Sequence, residues 1–234
     1  MTLSRQQLEE LKQFDAPTVS NGIETFDVRS STEGFMSSRI KCILPCDQPT
    51  IGYACTAKMS ALKPPTPEQG GLMRLFLEKL ADSPSPSLSV IQDLDPEPIG
   101  SLWGEVNVSS AKLLGCVGAI TNGGVRDLKE VQELGFGYFA SCVLVSHAYD
   151  HLEEIGVPVE VGGLIVHPGD LLFADRHGVI QIPHEVAPKL ADACRHALWA
   201  EQPVTQNCRK HFGQKIELEE LWKWREEMVR RRTQ

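Results

Sequence analysis

Near the start of the chain Leu8, Leu11 and Phe14 fall at helical spacing, and the pattern predicts a helix over residues 3–14. A second short helix is expected to begin at 17–20, with Thr18 or Ser20 as its cap. Over 40–59 the pattern changes to alternation, broken by turn residues at Pro45, Asp47 and Gly52, which reads as two strands. Residues 63–71, rich in proline and glycine, form a loop. Leu72, Leu75, Phe76 and Leu80 mark a helix that the Ser83-Pro84-Ser85-Pro86-Ser87 run ends. A strand at 88–94 is followed by helix 105–114, strand 116–121, helix 127–134 and strand 137–142. That order is the signature of parallel strands joined by crossover helices, an α/β fold. After Ser146 short strands at 157–161, 164–166, 170–174 and 179–182 form a β-rich subregion, and helices are expected at 185–200 and 218–232. No internal repeat interrupts this plan.

With 234 residues, 41% of them hydrophobic, the chain is long enough for one sizeable domain with an appended arm. We place an α/β catalytic domain, including the N-terminal helices, at 1–190 and a C-terminal helical arm, expected at a subunit interface, at 191–234. Asp and Glu number 31 against 23 Lys and Arg, a net charge of −8, which argues against nucleic-acid or anionic-membrane partners. No run approaches the roughly 20 apolar residues that span a bilayer, and the polar helical start is unlike a signal peptide, so a cytoplasmic location is expected. The seven cysteines form no C-x-x-C pair and read as reduced structural thiols.

Candidate chemistry concentrates in Trp103-Gly104-Glu105 and Thr121-Asn122-Gly123-Gly124-Val125-Arg126-Asp127, with twenty residues between Glu105 and Arg126. Gly104 to Val106 opens one predicted helix and Arg126-Asp127 opens the next. Both origins follow parallel strands, so their polar groups face the same sheet edge, where helix N-termini favour anions. Asp127 taken alone is a helix cap. Beside Arg126, whose planar fork holds carboxylates, and behind two glycines that let backbone approach, it also reads as a metal ligand. Glu105 taken alone is a first-turn acid stabilised by the helix dipole; paired with Asp127 it supplies the oxygen donors that Mg²⁺ or Mn²⁺ prefers, Glu105 acting through water.

Other signals carry less. Gly135 to Ala140 imitates a dinucleotide fingerprint but follows a helix and enters a strand, the reverse of the required order, so Gly135 reads as a helix C-cap. His147 and His151 stand four apart without supporting ligands. Lys112 lies in a helix running away from the site edge.

On these residues, together with Ala111-Lys112, Gly115-Cys116-Val117-Gly118 and Pro168-Gly169-Asp170 through Pro183, the chain resembles the family of 4-hydroxy-4-methyl-2-oxoglutarate aldolases and regulator-of-ribonuclease-activity-A-like (RraA-like) proteins. The resemblance covers 17–183. It implies a layered β/β/α core, assembly as a homotrimer or homohexamer, and an active site at a subunit boundary. It also implies the acidic set of the aldolases, matched here by Glu105, Arg126, Asp127 and Glu130, and a glutamate donated by a neighbouring subunit's C-terminal arm, matched by Glu201. The chain departs from the family in having Asn122-Gly123 where Asp-Gly is common.

The implied activity is a divalent-metal-dependent (Mg²⁺ or Mn²⁺) aldolase that cleaves a 4-hydroxy-2-oxo acid to pyruvate, with oxaloacetate decarboxylation as a companion reaction. In this reading Asp127 holds the metal, Glu105 acts on it through water, and Arg126 stabilises developing charge. Backbone N–H groups at Gly104, Glu105 and Val106 receive the substrate carboxylate. The alternative is a non-catalytic regulator that binds a ribonuclease through the C-terminal helix.

Overall fold

Ser4 caps the first helix, α1 (Arg5–Leu11), by accepting the Gln7 N–H, and the Gln7 side chain accepts the Ser4 N–H in return. The computed structural model describes residues 2–234. Asp15, rather than Thr18 or Ser20, caps α2 (Ala16–Glu24), accepting the Thr18 N–H at 3.0 Å. Pro17 explains the shift: it lacks a donor and fits the first turn, so the cap falls just ahead of it.

The strands and helices then follow in the predicted order. They are β1 (Lys41–Cys42), β2 (Thr50–Ser60), α3 (Leu72–Asp82), β3 (Ser87–Asp93), α4 (Glu105–Leu113), β4 (Cys116–Thr121), β5 (Gly124–Val125), α5 (Leu128–Glu133), β6 (Gly137–Ala140) and β7 (Cys142–Val143). After them come β8 (His151–Ile155), β9 (Val159–Val161), β10 (Leu164–Val166), β11 (Leu171–Asp175), β12 (Gly178–Ile182), α6 (Leu190–His211) and α7 (Leu218–Arg232).

The main sheet runs β1-β6-β4-β3-β2-β11-β12, and β8 pairs with the far half of β2. The neighbours β2, β3, β4 and β6 are parallel, as strands linked by crossover helices require. Ile51, Tyr53, Cys55, Ala57 and Met59 of β2 alternate onto one face, where the helices pack; Ala54 with Leu88, Val90, Ile120 and Phe139 of the neighbouring strands faces the β9–β10 hairpin. The result is a hairpin layer, a central sheet and a helical layer, the expected β/β/α arrangement. Strand β8 was not expected, because Glu153 and Glu154 break the alternation; it forms because β2, after an irregularity at Lys58/Met59, still presents an edge to pair.

Helix α6 continues eleven residues past the expected end at Ala200, through Pro203. Proline removes the donor that the Trp199 carbonyl would otherwise receive. Arg231 of α7 replaces it, donating to the Trp199 carbonyl at 3.2 Å while its guanidinium lies 4.6 Å from the Trp199 ring centroid. Among the described residues no helix is long and apolar enough to cross a membrane.

The seven cysteines are free, and burial pushes the Cys116 thiol up to about 11 and the Cys194 thiol up to about 12, so both stay neutral.

Candidate functional site

Because β3 and β4 are parallel neighbours, the chain leaves both at the same edge and enters α4 and α5 side by side. The two turns are joined to each other: Trp103 and Val125 form a parallel bridge, and the Arg126 N–H donates to the Trp103 carbonyl at 3.1 Å. Parallel pairing of β5 with β7 adds residues 142–146 as a third segment, and the Ser101 N–H donates to the Ser146 carbonyl.

Asp127 adopts the left-handed conformation (φ 55°, ψ 47°), which aspartate tolerates better than most residues. It occupies the cap position of α5 without a side-chain bond to that helix. Instead its Oδ2 accepts the Glu105 N–H at 2.9 Å, so it caps α4 across the site. Gly104 makes the approach possible, since a Cβ there would lie 2.5 Å from Asp127 Oδ2 and 2.9 Å from Arg126 Nε.

Arg126 Nε lies 3.7 Å from Asp127 Oδ2 and is buried without a hydrogen-bond partner, while the side chain as a whole is 33% exposed. Arg126 and the Gly104 turn line a cavity of about 220 Å³ with Ser101, Asn107, His147 and Asp150. Behind it Trp103 packs on Phe136, and Phe136 meets Tyr138 edge-on, their ring centroids 6.1 Å apart in each pair. Burial, reinforced by the Asp127 charge, raises the Tyr138 phenol, which therefore stays neutral.

The structure thus brings Gly104, Glu105, Val106, Arg126 and Asp127 together. One of the backbone donors proposed for substrate, the Glu105 N–H, is already engaged by Asp127. Glu201 sits elsewhere in the chain, on α6, where it pairs with Arg232 at 3.0 Å and accepts from Asn21. Asn122 clamps the preceding strand: its Oδ1 accepts the Asp93 N–H and its Nδ2 donates to the Asp93 carbonyl, each at 2.8 Å. An aspartate cannot make the second bond, which accounts for asparagine at this position. Among the described residues no three or more His, Cys, Asp or Glu side chains converge on a metal position.

His147 and Asp150 were absent from the predicted site. Their sequence signal was faint: two ionisable residues, three apart, just beyond a strand that ends at the ligand edge. Lys112 bonds the Leu134 carbonyl at the end of α5.

A larger cleft of about 670 Å³ lies near the β11–β12 turn, lined in part by Asp15, Asp175, Arg176 and His177. Its buried acid is a tie rather than a reactive group, because Asp175 accepts the Ala16 N–H at 2.8 Å and the His177 N–H at 2.7 Å.

The family described as RraA-like: Aldolase/RraA matches residues 14–181. An uncharacterized protein of Methanocaldococcus jannaschii is 30% identical over 107 residues, 45% of this chain and 51% of that protein. A putative 4-hydroxy-4-methyl-2-oxoglutarate aldolase of Halalkalibacterium halodurans is 29% identical over 100 residues, 42% of this chain and 48% of that one. The 4-hydroxy-4-methyl-2-oxoglutarate aldolase of Thermus thermophilus is 34% identical over 70 residues, 30% and 43% of the two chains. The chain spans about half, or less, of the length of these relatives. Among solved structures, Streptomyces coelicolor RraAS2, an unusual member of the RNase ES inhibitor RraA protein family, superposes with a TM-score of 0.66 at 23% identity over 86% of this chain and 96% of that one. An uncharacterized protein of Pseudomonas syringae pv. tomato gives 0.70 at 19% identity over 95% of each. At these identities the structural likeness shows the fold.

Proposed function

The chain belongs to the RraA-like (Aldolase/RraA) family, and on that premise we propose that it is a divalent-metal-dependent lyase releasing pyruvate from a 4-hydroxy-2-oxo acid, and from oxaloacetate by decarboxylation. The observation that carries the reading is the Arg126 side chain, which lines a cavity at the origin of α4 and stands beside the Asp127 carboxylate.

The donor set fits a hard ion. Asp127 Oδ2 is engaged by the Glu105 N–H, which leaves Oδ1 for a cation, and Mg²⁺ keeps several waters and needs one or two carboxylates. When bound, such an ion polarises the 2-oxo group as a Lewis acid. The protein's own residues do the rest. Glu105, exposed in the first turn of α4, would hold water that such a cation keeps. The Arg126 guanidinium donates to the oxygen on which enolate charge develops, the kind of preorganised stabilisation that is worth most in a partly dry site. The α4 N-terminus, through the Val106 N–H, orients the substrate carboxylate.

Glu201 joins this scheme as a residue donated to a neighbouring subunit's site within a homotrimer or homohexamer, which requires its release from Arg232. The test is pyruvate formation from a panel of 4-hydroxy-2-oxo acids and oxaloacetate with Mg²⁺ or Mn²⁺, repeated with chelator. Chelator-sensitive pyruvate release is the expected result; none from any acid overturns the proposal.

A further inference from the structure

We propose that His147 is the acid–base residue of the carbon–carbon cleavage, taking the proton from the substrate's C4 hydroxyl, with Asp150 as its positioning residue. The inference rests on the lyase reading and assigns the proton movement within that same site.

Geometry fixes the imidazole. His147 Nδ1 lies 2.7 Å from the Ala148 carbonyl oxygen, which can only accept, so Nδ1 carries the proton. Asp150 Oδ1 stands 3.3 Å from the same nitrogen. In the neutral ring Nε2 is then the acceptor, and it has no protein partner among the described residues. An imidazole tied at one nitrogen to a carbonyl, with a carboxylate beside it and the residue lining a cavity, is an arrangement that suits a general base.

The loop that carries it is held in place. Ala148 takes the left-handed conformation at φ 47°, its N–H donates to Ser146 Oγ, and the Asp150 N–H donates to the His147 carbonyl. Gly100 closes against this loop so tightly that a Cβ there would lie 2.5 Å from the His147 carbonyl oxygen. His147 stands at the cavity mouth with its side chain 61% exposed, whereas that of Asp150 is 19% exposed. Burial raises the Asp150 carboxyl, opposed by the charges of His147, Arg126 and His151. A proton arriving on His147 places a cation beside that buried carboxylate and favours its charged form.

The step balances without another reactant. Nε2 removes the hydroxyl proton, the O–H pair becomes the new C4 carbonyl, and the C3–C4 pair passes into the pyruvate enolate. The imidazolium then returns the proton to C3, completing the methyl group of pyruvate. Oxaloacetate has no C4 hydroxyl; its carboxylate leaves as carbon dioxide, its cleavage needs no base, and its enolate takes the C3 proton from solvent.

That contrast supplies the test. His147→Ala is expected to lower aldol cleavage by about a hundredfold or more, to lower oxaloacetate decarboxylation by less than about tenfold, and to leave oxalate affinity by calorimetry within about twofold. Asp150→Asn is expected to lower the same ratio of activities with little change in KM. In ¹⁵N spectra of the wild-type protein His147 is expected as the Nδ1-protonated tautomer, and Asp150→Asn is expected to shift that balance. Equal loss of both activities in His147→Ala, or loss of neither, overturns the assignment while the lyase reading stands. A wild-type protein that decarboxylates oxaloacetate but cleaves no hydroxy acid also overturns it. Release of pyruvate from neither acid by the wild type overturns both readings.

Discussion

The Asp127 carboxylate accepts the Glu105 N–H at 2.9 Å, so the acid that begins α5 caps α4. The bond couples stability to the site, and two substitutions separate the two roles. Asp127→Asn keeps an oxygen acceptor and tolerates the left-handed conformation, so its stability is expected within about 0.5 kcal/mol of wild type. Asp127→Ala loses the cap and is expected to cost about 1–2 kcal/mol. Both remove the charge that would hold a cation, so in both turnover is expected to fall at least about a hundredfold. Urea denaturation beside pyruvate release checks this, and an Asn variant of full activity would contradict the metal role.

Gly104 has an ordinary extended backbone (φ −131°), so its requirement is steric. Gly104→Ala brings a methyl group to 2.5 Å from Asp127 Oδ2 and 2.9 Å from Arg126 Nε. The side chains must retreat, at an expected cost of about 1–3 kcal/mol. A displacement of about an ångström in a positioning group lowers turnover on the order of a hundredfold. Normal helix content by circular dichroism with lost activity is the expected pair of results.

Asn122→Asp restores the residue common in the family and tests the clamp on β3. The new carboxylate cannot donate to the Asp93 carbonyl, and it adds charge beside Asp93, which is 3% exposed. A loss of about 1–3 kcal/mol in chemical denaturation is expected; unchanged stability would show the clamp to be dispensable.

The alternation of strands and helices was legible from residue 88 to residue 142 because each element is set by local periodicity, and β4 (Cys116–Thr121) falls where that pattern placed it. Gly104, Arg126 and Asp127 were legible because two consecutive turns after parallel strands must share an edge. The partner of Asp127 was not: a cap supplied from 22 positions away leaves no local signature. His147 was passed over for want of nearby ligands, while its support comes from the Ala148 carbonyl and from the folding of Gly100 against its loop. Strand β8 depends on an edge of β2 that only the assembled sheet presents.

Asp93 gives a pH test of the strand edge behind the site. Burial, with the Asp95 charge adding to it, pushes its carboxyl up from 3.8 to about 6. The folded form therefore binds a proton more tightly than the unfolded form, and its stabilising effect is present below the unfolded value and lost as pH rises through about 6. Asp93→Asn removes that loss and retains an acceptor for the Asp95 N–H. At about pH 7.5 the variant is expected to be more stable by about 1–2 kcal/mol, less than the full shift because the new amide N–H₂ lacks an acceptor. Its advantage should vanish below about pH 4, where the carboxyl is protonated in both states. An advantage independent of pH in denaturation curves would contradict the assignment.

Helix α7 has no buried residue, so polar and aromatic contacts dock it on α6. Arg231 is central to them: it donates to the Trp199 carbonyl left without its helical donor by Pro203, lies over the Trp199 ring, and pairs with Glu227 at 2.9 Å. Arg231→Ala removes all three contacts and is expected to raise amide exchange along 218–232 by about tenfold or more, the scale of one or two kcal/mol of local stability. The exchange of β3 and β4 is expected to stay the same, because the sheet core does not depend on α7. Arg231→Lys is not expected to restore protection, since an ammonium lacks the planar fork that stacks on the ring while donating sideways. Unchanged exchange over α7 in both variants would show that the arm is held by something other than the gap Pro203 leaves in the hydrogen bonding of α6.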